Sequence, residues 1–309
     1  MAQFWQNAGS TAMQVGILFI MIAVGFIADK TKLYTESTAR ATTSLMFYII
    51  TPCVILNSFL TTEFTKASVK GFFIAFGLSF LAHLIGMALS APFFNKNTET
   101  GVIYKFGCVY GNVGYMALPL VNAVVGQEGI LYASSAIASF NILCFCHGIA
   151  LMNKGRQFRL NAKTLILNPG IIAVSAGLIL FLFSVNLPKV ITEPIRFIGS
   201  MNTPLAMLIM GTYIANADLK TIFSIKEQYL VAFIKLLLVP ACIFGVLKLF
   251  GITGALATTC VISASAPTAN NTVMFSAKYD RDTAVASKLV AFSTLLAIIT
   301  MPFMTALTQ

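Results

Sequence analysis

Long apolar runs alternate with short charged connections from one end of the chain to the other. Runs bounded by charges predict ten helical spans, at about 11–28, 42–60, 71–92, 106–126, 130–151, 165–185, 197–215, 229–250, 254–277 and 286–306. Most are close to the roughly 20 residues that a helix needs to cross a bilayer. Two of the runs are poor helices. In the fourth, Gly107, Gly111 and Gly114 each cost about 1 kcal/mol relative to Ala, and Pro119 removes a backbone donor. In the ninth, Ser265, Pro267, Thr268, Asn270 and Asn271 put a proline and a row of polar side chains at mid-membrane depth. A broken backbone in lipid is tolerated only where protein buries it or where it lines a polar cavity. Both interruptions are therefore site candidates.

Composition agrees with the pattern. Of 309 residues, 58% are hydrophobic and only 10% charged, with mean hydropathy +0.86. That excludes a water-soluble globular protein and predicts an all-α polytopic membrane protein, one transmembrane domain over 1–309. The first run has no basic region before it and is followed by Asp29-Lys30, so it reads as a retained span and not a cleaved signal. All six cysteines lie in apolar runs, as small hydrophobes, and no disulfide is expected.

The net charge of +10 comes from the connections. With the N-terminus outside, the inner loops hold 14 Lys and Arg, including Lys96, Lys154, Arg156, Arg159 and Lys163, against 5 in the outer loops. This asymmetry predicts both termini outside, and it accounts for the basic balance without a nucleic-acid partner. The polar linker 153–163 divides the chain into repeat 1, about 1–152, and repeat 2, about 164–309, with five spans each. An odd number per half requires the second half to be inserted upside down. Thr51-Pro52 is echoed by Thr203-Pro204 at an offset of 152, and Leu118 to Asn122 by Ala266 to Asn270 at an offset of 148. Chance coincidence of prolines is the competing account. Two interrupted spans in corresponding positions of inverted halves point to a transport site at the repeat interface.

A helix that resumes after a break presents free N–H groups and a partial positive charge, an anion site. Pro119 and Pro267 suit the start of such a resumed helix. Asn112, Asn122, Asn270 and Asn271 add amides, although any one of them could simply patch the backbone. Asn57 and Asn141 are second-rank candidates. Two ionisable residues lie within spans, His83 and Lys235, again 152 apart. Either could neutralise an anion or carry a coupling proton. The competing readings are a hydrogen-bonded structural His83 and a snorkelling Lys235. Cys144, Cys146 and His147 are too close in sequence to face one another on a helix, so no metal site is expected. No span holds an embedded Asp or Glu, which disfavours a cation pump or an intramembrane metalloenzyme, and no nucleotide-binding P-loop is present. An enzyme with a cofactor is not the expectation; a gradient-driven carrier is.

Gly111-Asn112-Val113-Gly114-Tyr115-Met116-Ala117-Leu118-Pro119-Leu120 resembles the Gly-Asn-x-Gly…Pro signature of the auxin efflux carrier family, which includes plant PIN carriers and bacterial malate or malonate permeases. Thr51-Pro52-Cys53-Val54-Ile55-Leu56, Asn168-Pro169-Gly170, and Lys235 with Pro240 extend the resemblance over essentially the whole chain. It implies two inverted five-helix repeats, a scaffold half and a transport half, and crossed broken helices 4 and 9 meeting at Pro119 and Pro267. It further implies elevator-type transport of organic anions, often by a homodimer. The short central linker resembles a prokaryotic permease of the inner membrane more than a plant carrier. A sodium-coupled bile-acid-type symporter has a similar architecture, but usually with embedded carboxylates.

The expected function is thus a secondary transporter of small mono- or dicarboxylates in the lipid bilayer, with H+ or Na+ as a coupling ion if there is one. Asn112, Tyr115, Pro119, Asn122, Pro267, Asn270, Asn271, Asn57 and Asn141 form the substrate-binding set, and Lys235 and His83 the charge or coupling set. A carrier of a neutral or amphipathic solute, and a ligand sensor that moves nothing, are the alternatives.

Overall fold

A computed structural model describes residues 2–95, 98–153, 166–185, 187–216 and 219–308. Lys96 and most of the predicted linker, with Lys154, Arg156, Arg159 and Lys163, lie outside the described residues. Those described form helices α1 (Ala2–Lys30), α2 (Glu36–Thr61), α3 (Lys66–Ser90), α4 (Glu99–Val109), α5 (Val113–Val124), α6 (Gln127–Met152), α7 (Pro169–Leu182), α8 (Lys189–Ser200), α9 (Asn202–Ala215), α10 (Leu219–Ile222), α11 (Lys226–Leu249), α12 (Gly254–Ala264), α13 (Asn271–Lys278) and α14 (Thr283–Ala306).

Among the described residues, six stretches are long and apolar enough to cross a bilayer by themselves: α2, α3, α6, the stretch Lys189–Ala215 made by α8 and α9, α11 and α14. The predicted fourth, sixth and ninth spans are shorter apolar pieces: Val113–Val124, Pro169–Leu182 and Gly254–Ala264. The fourth and ninth are short because each run is split in two, α4 from α5 and α12 from α13.

Helix starts follow local chemistry. Thr65 and Ser68 form a reciprocal capping box at α3. Thr98 caps α4 through the Gly101 N–H at 3.2 Å, Asn168 caps α7 through the Gly170 N–H at 2.9 Å, and Asp282 caps α14 through the Ala284 N–H at 2.9 Å. Each cap satisfies donors that the first turn leaves without partners. Three prolines inside helices are absorbed by widened turns, whereas Pro194 and Pro302 lie within helices that show none. π-helical turns at Met46–Ile50, Val113–Ala117 and Phe233–Leu238 immediately precede Pro52, Pro119 and Pro240. A proline ring collides with the carbonyl four residues back; one wider turn there moves that carbonyl aside, and the helix continues.

By packing, α1, α2, α7, α8 and α9 lie together, as do α3 to α6 and α11 to α14. α1 and α9 cross at glycines: a Cβ on Gly25 would collide with the Leu208 carbonyl, and one on Gly211 with the Ile22 carbonyl. Ile20, Val24 and Ile27 are exposed along one face of α1, and Ile299 and Phe303 along α14. Exposed rows of this kind suit a hydrocarbon solvent and not water.

Candidate functional site

The chain leaves the helix at Tyr110, which is extended, and resumes at Val113. In the second interruption α12 ends at Ala264 and α13 begins at Asn271. The two broken stretches run antiparallel past each other and pair at one bridge, Gly111 opposite Thr268. The Asn112 N–H donates to the Pro267 carbonyl at 2.6 Å, and the Ala269 N–H donates to the Tyr110 carbonyl at 2.9 Å. Thr268 completes the accounting: its N–H donates to Ser293 Oγ at 3.2 Å, and its hydroxyl donates to the Gly107 carbonyl at 3.2 Å. Each break thus supplies the partners that the other lost, which is what makes non-helical backbone tolerable at this depth.

The prolines do not occupy the places expected of them. Pro119 lies inside α5, six residues beyond its start at Val113, because the π-helical turn accommodates the ring. Pro267 lies within the second break, where its carbonyl serves Asn112. The residues that face each other are Gly111 and Thr268, with 268 − 111 = 157, not the 148 of the proline echo. The other echo does meet. Thr51 Oγ1 lies 3.4 Å from Asn202 Oδ1, next to Thr203-Pro204.

Asn112 is the N-cap of α5, its Oδ1 accepting the Tyr115 N–H at 3.2 Å, and it is buried. The Tyr115 hydroxyl reaches the Thr43 carbonyl at 3.4 Å, tying α5 to α2. Asn270 precedes α13 without capping it, and its Nδ2 is buried with no partner. The Asn271 side chain lies beside Cys144. Asn122 is exposed, near the far end of α5. Asn57 is half-buried on α2. Asn141 faces the start of α7, its Nδ2 against Gly170 and not against α5. The crossing therefore gathers Asn112, Pro267 and Asn270, and leaves Asn57, Asn122 and Asn141 apart.

His83 and Lys235 line the same cavity. It is narrow, about 20 Å³, room for a single water molecule, and Gly111, Thr259, Ser263 and Tyr132 also line it. Lys235 lies on the π-helical turn of α11, 3% exposed, and Nζ donates to the Ala264 carbonyl, the last of α12, at 3.0 Å. His83 Nδ1 is 2.6 Å from the Ser79 carbonyl, and its ring packs on Tyr110 and Phe140. The hydroxyls of Thr259 and Ser263 are buried without partners. No carboxylate lines the cavity. The hydroxyl pair was not singled out from the sequence, although its i,i+4 spacing in an apolar run was a legible signal. Tyr110 was missed too: its hydroxyl lies 2.9 Å from the Leu143 carbonyl and 2.9 Å from His147 Nδ1. His147 and Cys144 thus turn to different partners. Among the described residues, no group of three His, Cys, Asp or Glu is placed to hold a metal.

The model of a family described as membrane transport protein matches residues 10–163 and again 158–305. An uncharacterized transporter of Methanocaldococcus jannaschii is 25% identical over 292 residues, 90% of this chain and 91% of its own. A protein of Rhizobium meliloti named "Putative malonate transporter" is 27% identical over 248 residues, 77% of this chain and 74% of its own. "Protein PIN-LIKES 7" of Arabidopsis thaliana is 26% identical over 126 residues, 40% of this chain and 32% of its own.

Proposed function

Because the chain belongs to the membrane transport protein family, that of the auxin efflux carriers and PIN-like proteins, and is a membrane transporter of a small molecule, we propose that its substrate is a small organic anion, a mono- or dicarboxylate, held at the crossing of the two interrupted segments. The observation that carries this reading is the crossing itself. The resumed helices α5 and α13 both start there, α5 capped by Asn112 and α13 beside the unpartnered amide of Asn270. Helix starts favour negative charge by their exposed N–H groups and dipoles, and a buried amide N–H without an acceptor costs roughly 1–3 kcal/mol until one arrives. The buried ammonium of Lys235 adds a positive potential behind the crossing, and no acidic residue lines that cavity. The name of the Rhizobium relative points to the same chemical class.

In this reading ten spans form two inverted five-helix repeats joined by the linker 153–163, in a bacterial inner membrane with both termini outside, as the Lys and Arg distribution supports. The packing of α1 on α9 and of α7 and α8 on α2 supports a stationary half and a moving half, which meet where α1 touches α14 and where α2 and α7 touch α6. With no P-loop in the sequence, the driving force is a gradient. Uptake of radiolabelled malonate, malate and acetate into proteoliposomes tests the proposal. Saturable flux that carries current in proportion to substrate charge is expected; a folded protein that moves none of them, or only neutral solutes, refutes it.

A further inference from the structure

A buried ammonium normally needs a carboxylate, because desolvating a charge costs several kcal/mol that neutral partners repay only in part. Lys235 has none among the described residues: no carboxylate lines its cavity, and its hydrogen-bond acceptor is the carbonyl of Ala264. That carbonyl is the last of an eleven-residue helix, α12, whose C-terminal end carries roughly half a negative charge. The other first half, α4, ends at Val109 on the opposite side of the same crossing, and Gly111 follows two residues later. Gly111 is shaped to the ammonium: a Cβ there would stand 2.8 Å from both Cε and Nζ of Lys235 and 3.0 Å from the Ala266 carbonyl oxygen. The ammonium therefore sits on the carbonyl end of α12, packed beside Gly111 of the first interruption. In a membrane protein such a place would otherwise be filled by a bound cation, since unwound carbonyls and half-helix C-termini are cation ligands.

We infer that Lys235 is a tethered cation: its ammonium holds the carbonyl end of α12 against Gly111 at the crossing, in place of a bound sodium ion, so the carrier needs no metal ion to keep its crossing intact or to move its substrate. The second part rests on the transport reading above; the first does not. Three features agree with it. The cavity beside Nζ is too small for a dicarboxylate, so Lys235 stands behind the substrate and does not grip it. Gly111 leaves room for the ammonium with its ordinary backbone, since its φ is not positive. Lys235 itself lies within the widened turn before Pro240 and is buried there.

Truncating Lys235 to Ala removes three methylenes and the ammonium, an outline that n-propylammonium matches. Thermal unfolding of the detergent-solubilised protein is measured for wild type, Lys235→Ala and Lys235→Met, in n-propylammonium chloride or choline chloride at equal ionic strength. Both variants are expected to melt below wild type. Lys235→Ala should recover in propylammonium but not in choline, and Lys235→Met, whose side chain fills the space without charge, in neither. Wild-type melting of Lys235→Met, or equal effects of the two salts on Lys235→Ala, overturns the assignment. If Lys235→Ala cannot be purified folded, Lys235→Met decides alone. In proteoliposomes, replacing all sodium by N-methylglucamine should leave wild-type malonate uptake unchanged; sodium-dependent uptake overturns the metal-free part. Should wild type carry no carboxylate, the transport reading fails while the melting experiment still decides the role of the ammonium.

Discussion

Gly111→Ala gives the sharpest test of the crossing. The added methyl would sit 2.8 Å from Lys235 Cε and Nζ and 3.0 Å from the Ala266 carbonyl oxygen, against roughly 3.5–4.0 Å for comfortable contact between carbon atoms. The carbonyl belongs to the second broken segment, which is held by the bridge, so most of the accommodation falls on Lys235. Its ammonium would move off the Ala264 oxygen, now 3.0 Å away. Losing a hydrogen bond from a charged donor costs about 1.5–3 kcal/mol, and overpacking alone about 1–3. The two describe overlapping events, so we expect about 2 kcal/mol of destabilisation, read from thermal unfolding in detergent, together with reduced flux. A double-mutant cycle makes the cause visible. In a Lys235→Ala background the same Gly111→Ala change should cost less than about 1 kcal/mol, because only the Ala266 contact remains. Gly114→Ala is the control: nothing lies within 4 Å of its added methyl, and loss of a helical glycine should be neutral or stabilising by up to about 1 kcal/mol. Equal costs of Gly111→Ala with and without Lys235 would refute the claimed contact.

Asn112→Ala removes the cap of α5 and should lower stability by about 1 kcal/mol, whereas Asn122→Ala, at an exposed position, should change melting by no more than about 0.5 kcal/mol and leave uptake as it was; equal effects in the two variants would contradict the placement of both amides. Ser293→Ala strands the buried Thr268 N–H and should cost about 1–3 kcal/mol, a loss that Ser293→Thr partly restores; a wild-type melting curve for the alanine variant would show that the N–H has another partner. Gly25→Ala and Gly211→Ala each drive a methyl into the backbone of the facing helix, so each should lower the melting temperature more than Gly114→Ala does, and either one melting with wild type would mean that α1 and α9 do not approach at these glycines.

Helix content, the positions of the two interruptions and most helix starts were legible in the sequence because they are decided locally. Apolar periodicity, a hydroxyl or amide just before a run, and a cluster of glycine, proline and asparagine act over three or four residues; the caps at Thr65, Thr98, Asn168 and Asp282 are of this local kind, although runs bounded by charges placed the starts up to seven residues away. The common offset of 152 between His83 and Lys235 was also readable, and the two do face one cavity. Proline position misled, because a Pro119 ring can be absorbed by one widened turn and need not mark where a helix begins.

What the tertiary structure alone decided is which groups meet. The pairing of Gly111 with Thr268 and the bond from Lys235 to Ala264 join residues 157 and 29 positions apart. The outward turn of Asn122 and the inward turn of Asn112 separate two amides that look alike in sequence. No local preference distinguishes such cases. A carbonyl or amide freed by a break in lipid must find a partner somewhere, and only the packed arrangement of distant helices determines whether it is another backbone, a hydroxyl or the ammonium of Lys235.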